Sequence, residues 1–326
     1  MIVRQPIDVV VERMDASRRA NAGLAHRTTE ALLPAPDLID EFAGAGDNSA
    51  DRRAQSLREI DPGRIPSRCH IAREGGAHAA LGGFQITPLP GADGKFSPDT
   101  FRGALHPRSR YQPPQTLVSV EQTANIGGGT IWNKADLDEV VQIARSGGLA
   151  THMDGARLLN ACVASGISAR DMAMGWDSAW LDFSKGLGAP VGAAIAGSRD
   201  FIDEVWRWKQ RLGGSMRQAG ICAAACVYAL DHHVDRLADD HANARALARG
   251  LSQIAGIEVQ QPETNLVFFN PDGAGVTGEK MVEALQERGV LLAMMDGRIR
   301  ACTHLDVTAA MIEETVGLVR DIARSA

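Results

Sequence analysis

The strongest constraint on the fold is an alternation of short apolar runs with amphipathic helices through the middle of the chain. The β-branched run TLVSVEQ (116–122) precedes a glycine-rich turn, and NKADLDEVVQIARSGG (133–148) has apolar residues on one side and a glycine pair as its end. Two further apolar runs, GGLATHM (147–153) and AWLDFSKG (179–186), follow. Strands that alternate with helices at this spacing predict an α/β domain with a mostly parallel sheet.

The last third of the chain has a different order of elements. The segment NLVFFN (265–270) is typical of a strand, and GEKMVEALQERGVLLAM (278–294) predicts a helix followed by a strand. RIRACTHLD (298–306) is another predicted strand, and TAAMIEETVGLVRDIARS (308–325) has the apolar spacing of an amphipathic helix. This order predicts a small α+β domain.

The length of 326 residues, 44% of them hydrophobic and 23% charged, fits one large domain or two moderate ones. We assign residues 67–236 to a large domain and residues 237–326 to a smaller C-terminal domain. Residues 1–66 are rich in Arg, Ala and Pro and show no sustained period. We therefore expect an atypical N-terminal segment that is poorly ordered.

Charge and composition exclude several classes of protein. The net charge of −6 argues against a nucleic-acid surface, which would need a basic face. No apolar run approaches the ~18 residues of a membrane span, and the N-terminus lacks the pattern of a signal peptide, so we expect a cytoplasmic protein. The five cysteines form no CxxC pair and support neither a metal site nor a disulfide framework.

The residues that follow two of the predicted strands indicate a cofactor. Asp154 and Arg157 come just after one strand, and Ser184 and Lys185 just after the next, and ligands bind at the carboxyl ends of parallel strands. Pyridoxal phosphate needs a lysine for a Schiff base and a carboxylate that keeps its ring nitrogen protonated. Lys185 and Asp154 suit these roles. The residues alone leave open the alternative of a helix cap, a surface ion pair and a solvated lysine.

Longer stretches make the chain resemble a known family. From about residue 67 to 326 the sequence resembles the threonine aldolases, which belong to the β-eliminating lyase group of fold type I pyridoxal-phosphate enzymes. The matching stretches, in the family's order, are CHIAREGGAHAALGG, SVEQTANIGGGTIW, HMDGARLLNA, SKGLGAPVGAAIAGSRDF, RWKQRLGGSMRQAGI, DRLADDHANARALA and RIRACTHLDV. The resemblance implies a large pyridoxal-phosphate-binding domain with a mostly parallel sheet and a smaller α+β C-terminal domain.

The resemblance also implies roles for single residues. Lys185 matches the lysine that bonds to the cofactor, and Asp154 matches the partner of the pyridine nitrogen. Arg157 and Arg300 resemble the pair that holds the substrate carboxylate, for which a planar guanidinium is suited. His70 matches the histidine that stacks over the cofactor ring.

Two further matches concern the cofactor phosphate. Ser184 and Arg217 resemble residues near the phosphate, and in such enzymes the arginine reaches the site of a neighbouring subunit. The resemblance therefore implies a homo-oligomer, either a dimer or a tetramer.

The implied reaction is a retro-aldol cleavage of L-threonine, L-allo-threonine or a related β-hydroxy-α-amino acid to glycine and an aldehyde. The base that takes the hydroxyl proton is His70 or a water molecule. Two alternatives are kept: another pyridoxal-phosphate lyase or transaminase on the same scaffold, and a folded homologue that is impaired in cofactor binding.

The chain departs from the family pattern in two places. Many relatives have a histidine where this chain has Ala124, so either recognition of the substrate hydroxyl is altered or that histidine is not essential. The phosphate-binding turn that relatives carry near the N-terminus has no counterpart in residues 1–66. Either this segment has diverged, or the reading frame upstream of about residue 67 is disrupted.

Overall fold

The computed structural model describes residues 76–325, which form helices and two four-stranded sheets. The helices are α1 (Ala77–Ala80), α2 (Pro98–Ala104), α3 (Lys134–Gly147), α4 (Leu158–Ser165), α5 (Ala169–Ala173), α6 (Arg199–Arg211), α7 (Gly220–His232), α8 (Leu237–Leu251), α9 (Gly278–Gln286) and α10 (Ala309–Ser325), with a 3₁₀ turn at Asp272–Ala274. The strands are β1 (Leu117–Glu121), β2 (Ala150–Gly155), β3 (Ser178–Asp182), β4 (Ala193–Gly197), β5 (Glu258–Gln260), β6 (Leu266–Asn270), β7 (Ala293–Met295) and β8 (Arg298–Cys302).

The first sheet has the strand order β1-β2-β3-β4. Strands β1, β2 and β3 run parallel, so the predicted mostly parallel sheet is confirmed, and β4 pairs antiparallel with β3 at its edge. In the register of the parallel pairs, Glu121 lies beside Asp154 and Asp154 lies beside Trp180. The carboxyl ends of the three parallel strands therefore meet at one edge of the sheet.

Helix α3 shows why the crossover between β1 and β2 forms where it does. The Asn133 side chain accepts a hydrogen bond from the Asp136 amide at its start, and Gly148 ends it in the left-handed conformation with φ 68°. Leu137 and Val140 are fully buried against the sheet. Burial of each such side chain stabilises the fold by ~1.5–3 kcal/mol.

The second sheet has the order β5-β6-β8-β7, and all its pairs are antiparallel. Its core contains Phe269 of β6 and Ile299 of β8, which pack with Met281 of α9 and Val319 of α10. The structure thus has the predicted small α+β unit. Where the boundary between the two domains falls stays a prediction, and the segment 1–66 lies outside the described residues.

The regions of the two sheets are joined on two sides. On one side, α8 packs against α4 through a hydrogen bond between Asn160 Nδ2 and His241 Nε2 of 3.1 Å. On the other side, the glycine-rich turn after β1 meets the second sheet, because the Thr264 hydroxyl donates to the Gly129 carbonyl at 2.7 Å. Gly129 has φ 72°, and a Cβ there would lie 2.6 Å from the Thr264 hydroxyl, so this approach requires glycine.

Two kinds of feature are absent from the described residues. Within residues 76–325 no helix is both long enough and apolar enough to cross a bilayer. In the same range no three His, Cys, Asp or Glu side chains lie together as ligands for a metal ion would.

Candidate active site

The backbone after β1 is fixed to the backbone after β2. The Gln122 amide donates to the Asp154 carbonyl at 2.7 Å, and the Arg157 amide donates to the Gln122 carbonyl at 3.0 Å. Gln122 also bonds the loop that follows it, because its side chain accepts from the Trp132 amide at 3.0 Å. The carboxyl edge of the first sheet is therefore a rigid platform for the side chains it carries.

Asp154 stands near the end of β2 and is buried, with 4% of its surface exposed. Its Oδ1 accepts a hydrogen bond from the Ala156 amide at 3.0 Å, which orients the carboxylate. The next residue, Gly155, cannot be replaced by a residue with a side chain, because a Cβ there would lie 2.0 Å from the Trp180 carbonyl oxygen. The close approach of β2 and β3 thus places Asp154 beside Trp180.

Lys185 lies in the loop that follows β3. Its Nζ is 3.2 Å from Oδ2 of Asp182 and 5.3 Å from the centre of the Trp180 ring. The side chain is 37% exposed, and its neighbour Ser184 is also exposed, with its amide donating to Asp182 Oδ1 at 2.7 Å. The predicted pair Asp154 and Lys185 is therefore brought to one edge of the sheet, with Trp180 in contact with Lys185 and in register with Asp154.

Two buried polar atoms near this edge have no hydrogen-bond partner among the described residues. They are Nε of Arg157, a residue with 7% exposure at the start of α4, and the hydroxyl of Thr123, a residue with no exposed surface. A buried polar group without a partner costs ~1–3 kcal/mol. Such atoms fit a site whose bound molecule supplies the missing partners, and a carboxylate or phosphate accepts from a guanidinium.

The loop of Lys185 is supported from below by α4 and α8. A Cβ at Gly186 would lie 3.1 Å from Asn160 Oδ1 and 2.9 Å from Leu237, so the loop packs closely on both helices. Asn160 in turn bonds His241, whose pKa is lowered to about 4, first by burial and then by the nearby Arg245. The ring of His241 is therefore neutral at physiological pH and acts here as a structural partner.

The second sheet contributes Arg300, in the middle of β8, opposite Phe268 of β6 and Ala293 of β7. Two residues earlier, Arg298 donates to Gln260 Oε1 at 2.8 Å and to the Ile126 carbonyl at 2.9 Å, and it lies over the Phe268 ring. Arg298 thus fixes the second sheet to the loop after β1. Sequence reasoning singled out only Arg300 of these two arginines.

The structure gives neither of the two remaining predicted site residues a contact with Lys185 among the residues it describes. Arg217 is exposed in the segment between α6 and α7, whereas the contacts that the structure gives Lys185 are those with Asp182 and Trp180. His70 lies outside the described residues, so its predicted place over the cofactor stays a prediction.

Ala124, where the family pattern has a histidine, is buried in a tight turn. Ala124 forms an isolated bridge with Thr130. A Cβ built on Gly94 would lie 2.9 Å from the Cβ of Ala124. The side chain therefore faces the chain at Gly94, where there is room for alanine.

Sequence reasoning missed the residues that surround Lys185. Trp180 and Asp182 alternate along β3, and residues i and i+2 of a strand lie on the same face. That periodicity was the available signal. A shallow cleft of about 170 Å³ elsewhere, lined by Asp93, Gln260, Asp296 and Arg298 among others, includes none of the predicted site residues.

Comparison with known proteins gives the family. The sequence model of the family described as beta-eliminating lyase matches residues 55–274. The low specificity L-threonine aldolase of Escherichia coli (strain K12) is 37% identical over 244 residues, which cover 74% of this chain and 71% of that protein. The low-specificity L-threonine aldolase 1 of Arabidopsis thaliana is 36% identical over 260 residues, 77% of this chain and 73% of that protein.

Solved structures agree in fold. The threonine aldolase of Leishmania major superposes with a TM-score of 0.67 at 20% identity, over 88% of this chain and 81% of that one. At this identity the likeness establishes the fold alone, which is that of the fold type I enzymes. The match to the family model and the two relatives above 30% identity show that the chain belongs to the threonine aldolases of the β-eliminating lyase family.

Proposed function

We propose that this protein is a pyridoxal-phosphate-dependent aldolase that cleaves L-threonine, L-allo-threonine or a related β-hydroxy-α-amino acid to glycine and an aldehyde. The observation that supports the proposal is that Asp154 and Lys185 both lie at the carboxyl edge of one parallel sheet, Asp154 in register with Trp180 and Lys185 in contact with it. The names of the relatives at 36–37% identity give the reaction class. β-Eliminating lyases and fold type I enzymes are pyridoxal-phosphate-dependent families.

The residues at this edge fit the cofactor. Asp154 is a buried carboxylate of the kind that keeps a ring nitrogen protonated, and Lys185 offers an accessible amine. Ser184 and Arg217 are proposed to bind the phosphate. When bound, the cofactor supplies an electron sink for the pair released as the Cα–Cβ bond breaks.

The chain's own task is to bind and orient the amino acid. Arg157, at the start of α4, and Arg300, in the second sheet, are proposed to bind its carboxylate, which would give Arg157 Nε the partner it lacks among the described residues. A carboxylate held at two points fixes rotation about the bond from Cα, so the bond to be broken is oriented before reaction. The proton of the β-hydroxyl is proposed to pass to His70 or to a water molecule.

The assembly is proposed to be a homo-oligomer, a dimer or a tetramer. The segment around Arg217 carries the exposed apolar side chains Leu212, Met216 and Ile221. Exposed apolar side chains that lie together are typical of contacts between proteins. A second copy seated there would bring Arg217 toward a neighbouring site. The cytoplasm is proposed as the location.

The test is to mix the purified protein with pyridoxal phosphate, reduce it with borohydride and map the labelled peptides by mass spectrometry. We expect one label, on Lys185, and release of glycine and acetaldehyde when unreduced protein receives L-threonine. A Lys134→Ala variant is a matched control and should keep the label.

A label on another lysine, or none on a folded protein, would contradict the proposal and favour a homologue impaired in cofactor binding. Labelling of Lys185 with keto acid or ammonia as product would favour another lyase or a transaminase on this scaffold.

A further inference from the structure

The hydroxyl of Thr123 is a fully buried polar group at the carboxyl edge of the parallel sheet. Thr123 lies just after β1, and its Oγ1 has no hydrogen-bond partner among the described residues. Two carboxylates at the same edge accept from other donors. Glu121 Oε2 accepts from the Asn125 amide at 3.0 Å. Asp154 Oδ1 accepts from the Ala156 amide, also at 3.0 Å.

A hydroxyl in this state lowers the stability of the protein. It is removed from water and loses the hydrogen bonds that it makes in the unfolded chain. Thr151, near the start of β2, shows the ordinary arrangement, because it is 1% exposed and its hydroxyl donates to Asp177 Oδ2 at 2.9 Å. A destabilising polar atom at the edge where parallel sheets bind ligands points to a bound molecule as its partner.

A second unpartnered donor lies next to the first along the backbone. The Arg157 amide donates to the carbonyl of Gln122, the residue before Thr123, at 3.0 Å. Arg157 is 7% exposed, and its Nε has no partner among the described residues. Helix α4 begins directly after Arg157, which in the described structure gives the first turn no side-chain cap, and the amides of a first turn favour negative charge.

The two side chains together define the chemistry of the missing partner. A guanidinium has no acceptor atom, so its partner must accept, whereas a hydroxyl can donate or accept. A carboxylate has two oxygens with about four acceptor sites, so one carboxylate can accept from both groups. The β-hydroxyl of a substrate fits less well, because it carries no charge to complement the guanidinium.

We propose that Thr123 is a substrate-binding residue whose hydroxyl donates to the carboxylate of the amino acid beside Arg157. This inference rests on the proposed function and adds a residue to its substrate site. The hydroxyl gains its partner only when the amino acid binds. The same atom therefore destabilises the empty protein and stabilises the complex.

The first measurement is the melting temperature of the cofactor-free chain, which involves no catalysis. Thr123→Val removes the hydroxyl and keeps the shape of the side chain, so we expect the melting temperature to rise by ~2–5 °C. Thr151→Val is the matched control, and its melting temperature should fall because its hydroxyl has a partner. An unchanged or lower melting temperature in Thr123→Val would mean that this hydroxyl is bonded within the protein, and this would overturn the inference.

The second measurement is equilibrium binding of glycine to the protein loaded with pyridoxal phosphate, followed by absorbance. Glycine has the carboxylate but no β-hydroxyl. Thr123→Val should raise the dissociation constant of glycine and the KM of L-threonine alike, by ~10–100-fold, as for a hydrogen bond to a charged group. Thr123→Ser keeps a hydroxyl and should stay close to the wild type, and Thr151→Val should change neither value.

Three results in folded Thr123→Val would overturn the inference and leave the proposed function intact. Unchanged glycine binding would exclude a contact with the carboxylate. A loss confined to L-threonine would assign the hydroxyl to the β-hydroxyl of the substrate, and weaker binding of pyridoxal phosphate alone would assign it to the cofactor. Failure of the wild type to be labelled on Lys185 after borohydride reduction would instead overturn the proposed function, and this inference with it.

Discussion

The two sheets of this protein use their polar residues differently. At the carboxyl edge of the parallel sheet, Arg157 and Thr123 carry buried atoms with no partner among the described residues, and Lys185 is accessible. In the antiparallel sheet, Thr303 donates to the Asp240 carbonyl at 2.7 Å and Asn265 donates to the Thr303 carbonyl at 3.0 Å. The first edge combines such atoms with an accessible amine, whereas the second region is mostly tied together by its own chain, with Asn265 Oδ1 a buried acceptor that has no partner among the described residues.

Topology explains the difference. Parallel strands need crossovers, so residues far apart in sequence finish at one edge, as Gln122, Asp154 and Lys185 do here. The pairs of an antiparallel sheet leave no such shared edge, and the second sheet offers Arg300 from the middle of a strand. The predictions below test whether the first edge governs chemistry and the second region governs stability.

The largest expected effect is that of Lys185→Ala. Removing the amine should lower turnover of L-threonine by ~10⁴-fold or more, because a covalent role leaves no substitute. The side chain is exposed, so the melting temperature should stay close to that of the wild type. Turnover is measured by aldehyde release. Retained activity would contradict the idea that the carboxyl edge of the parallel sheet governs the chemistry.

The next effect concerns the second sheet. Phe269 is buried in its core, and Phe269→Ala should lower the free energy of unfolding by ~3–5 kcal/mol through lost contacts and a cavity. Urea denaturation measures this. Phe269→Leu should cost less, and the folded fraction of either variant should retain the kcat of the wild type. A lower kcat in folded protein would show that this core also shapes the site.

A smaller effect is expected for Arg157→Lys, which keeps the charge but cannot form two parallel hydrogen bonds to a carboxylate. Catalytic efficiency, kcat/KM, should fall by ~10²-fold, mostly through KM, as for loss of a charged hydrogen bond. Arg207→Lys, an exposed arginine on α6, is the control and should have no effect. Unchanged kinetics in Arg157→Lys would mean that this arginine does not bind the substrate carboxylate.

The smallest effect is a dependence of stability on pH from His241, at the contact of α4 and α8. Its pKa of about 4 in the folded protein lies below the ordinary value of 6.5, so the unfolded chain binds a proton that the folded chain refuses. This contribution to the unfolding free energy is fully present above pH 6.5 and is lost as pH falls toward 4. At pH 5 the loss amounts to ~2 kcal/mol.

In His241→Gln the difference in unfolding free energy between pH 7.5 and pH 5 should be smaller by that amount. Asp240 works in the opposite direction, since burial raises its pKa against the influence of Arg236, and it is present in both proteins. If wild type and variant lost the same unfolding free energy between pH 7.5 and pH 5, His241 would not be the source of this pH dependence.

The sequence predicted the parallel sheet and the two strand ends that carry Asp154 and Lys185, because each follows an apolar run of strand length. It did not predict the antiparallel edge strand β4 or the three-residue strand β5, which is too short to show a period, and the strand predicted at the end of the run 278–294 overlaps β7. Nor could it predict the bond between Asn160 and His241, which joins residues 81 positions apart and depends on how α8 packs. The period of two along β3 could have predicted that Trp180 and Asp182 share one face of the strand. Only the fold shows that Lys185 contacts that face.

The two joints between the sheets also bear on how the molecule can move. One joint binds α4 to α8, next to the loop of Lys185, and the other binds the glycine-rich turn to Thr264 and Gln260. Because the regions of the two sheets are joined at these two places, the motion left to them is a rotation about the line between the two contacts. A substrate gripped from both sheets would be a third fastening, so a filled site would be stiffer than an empty one.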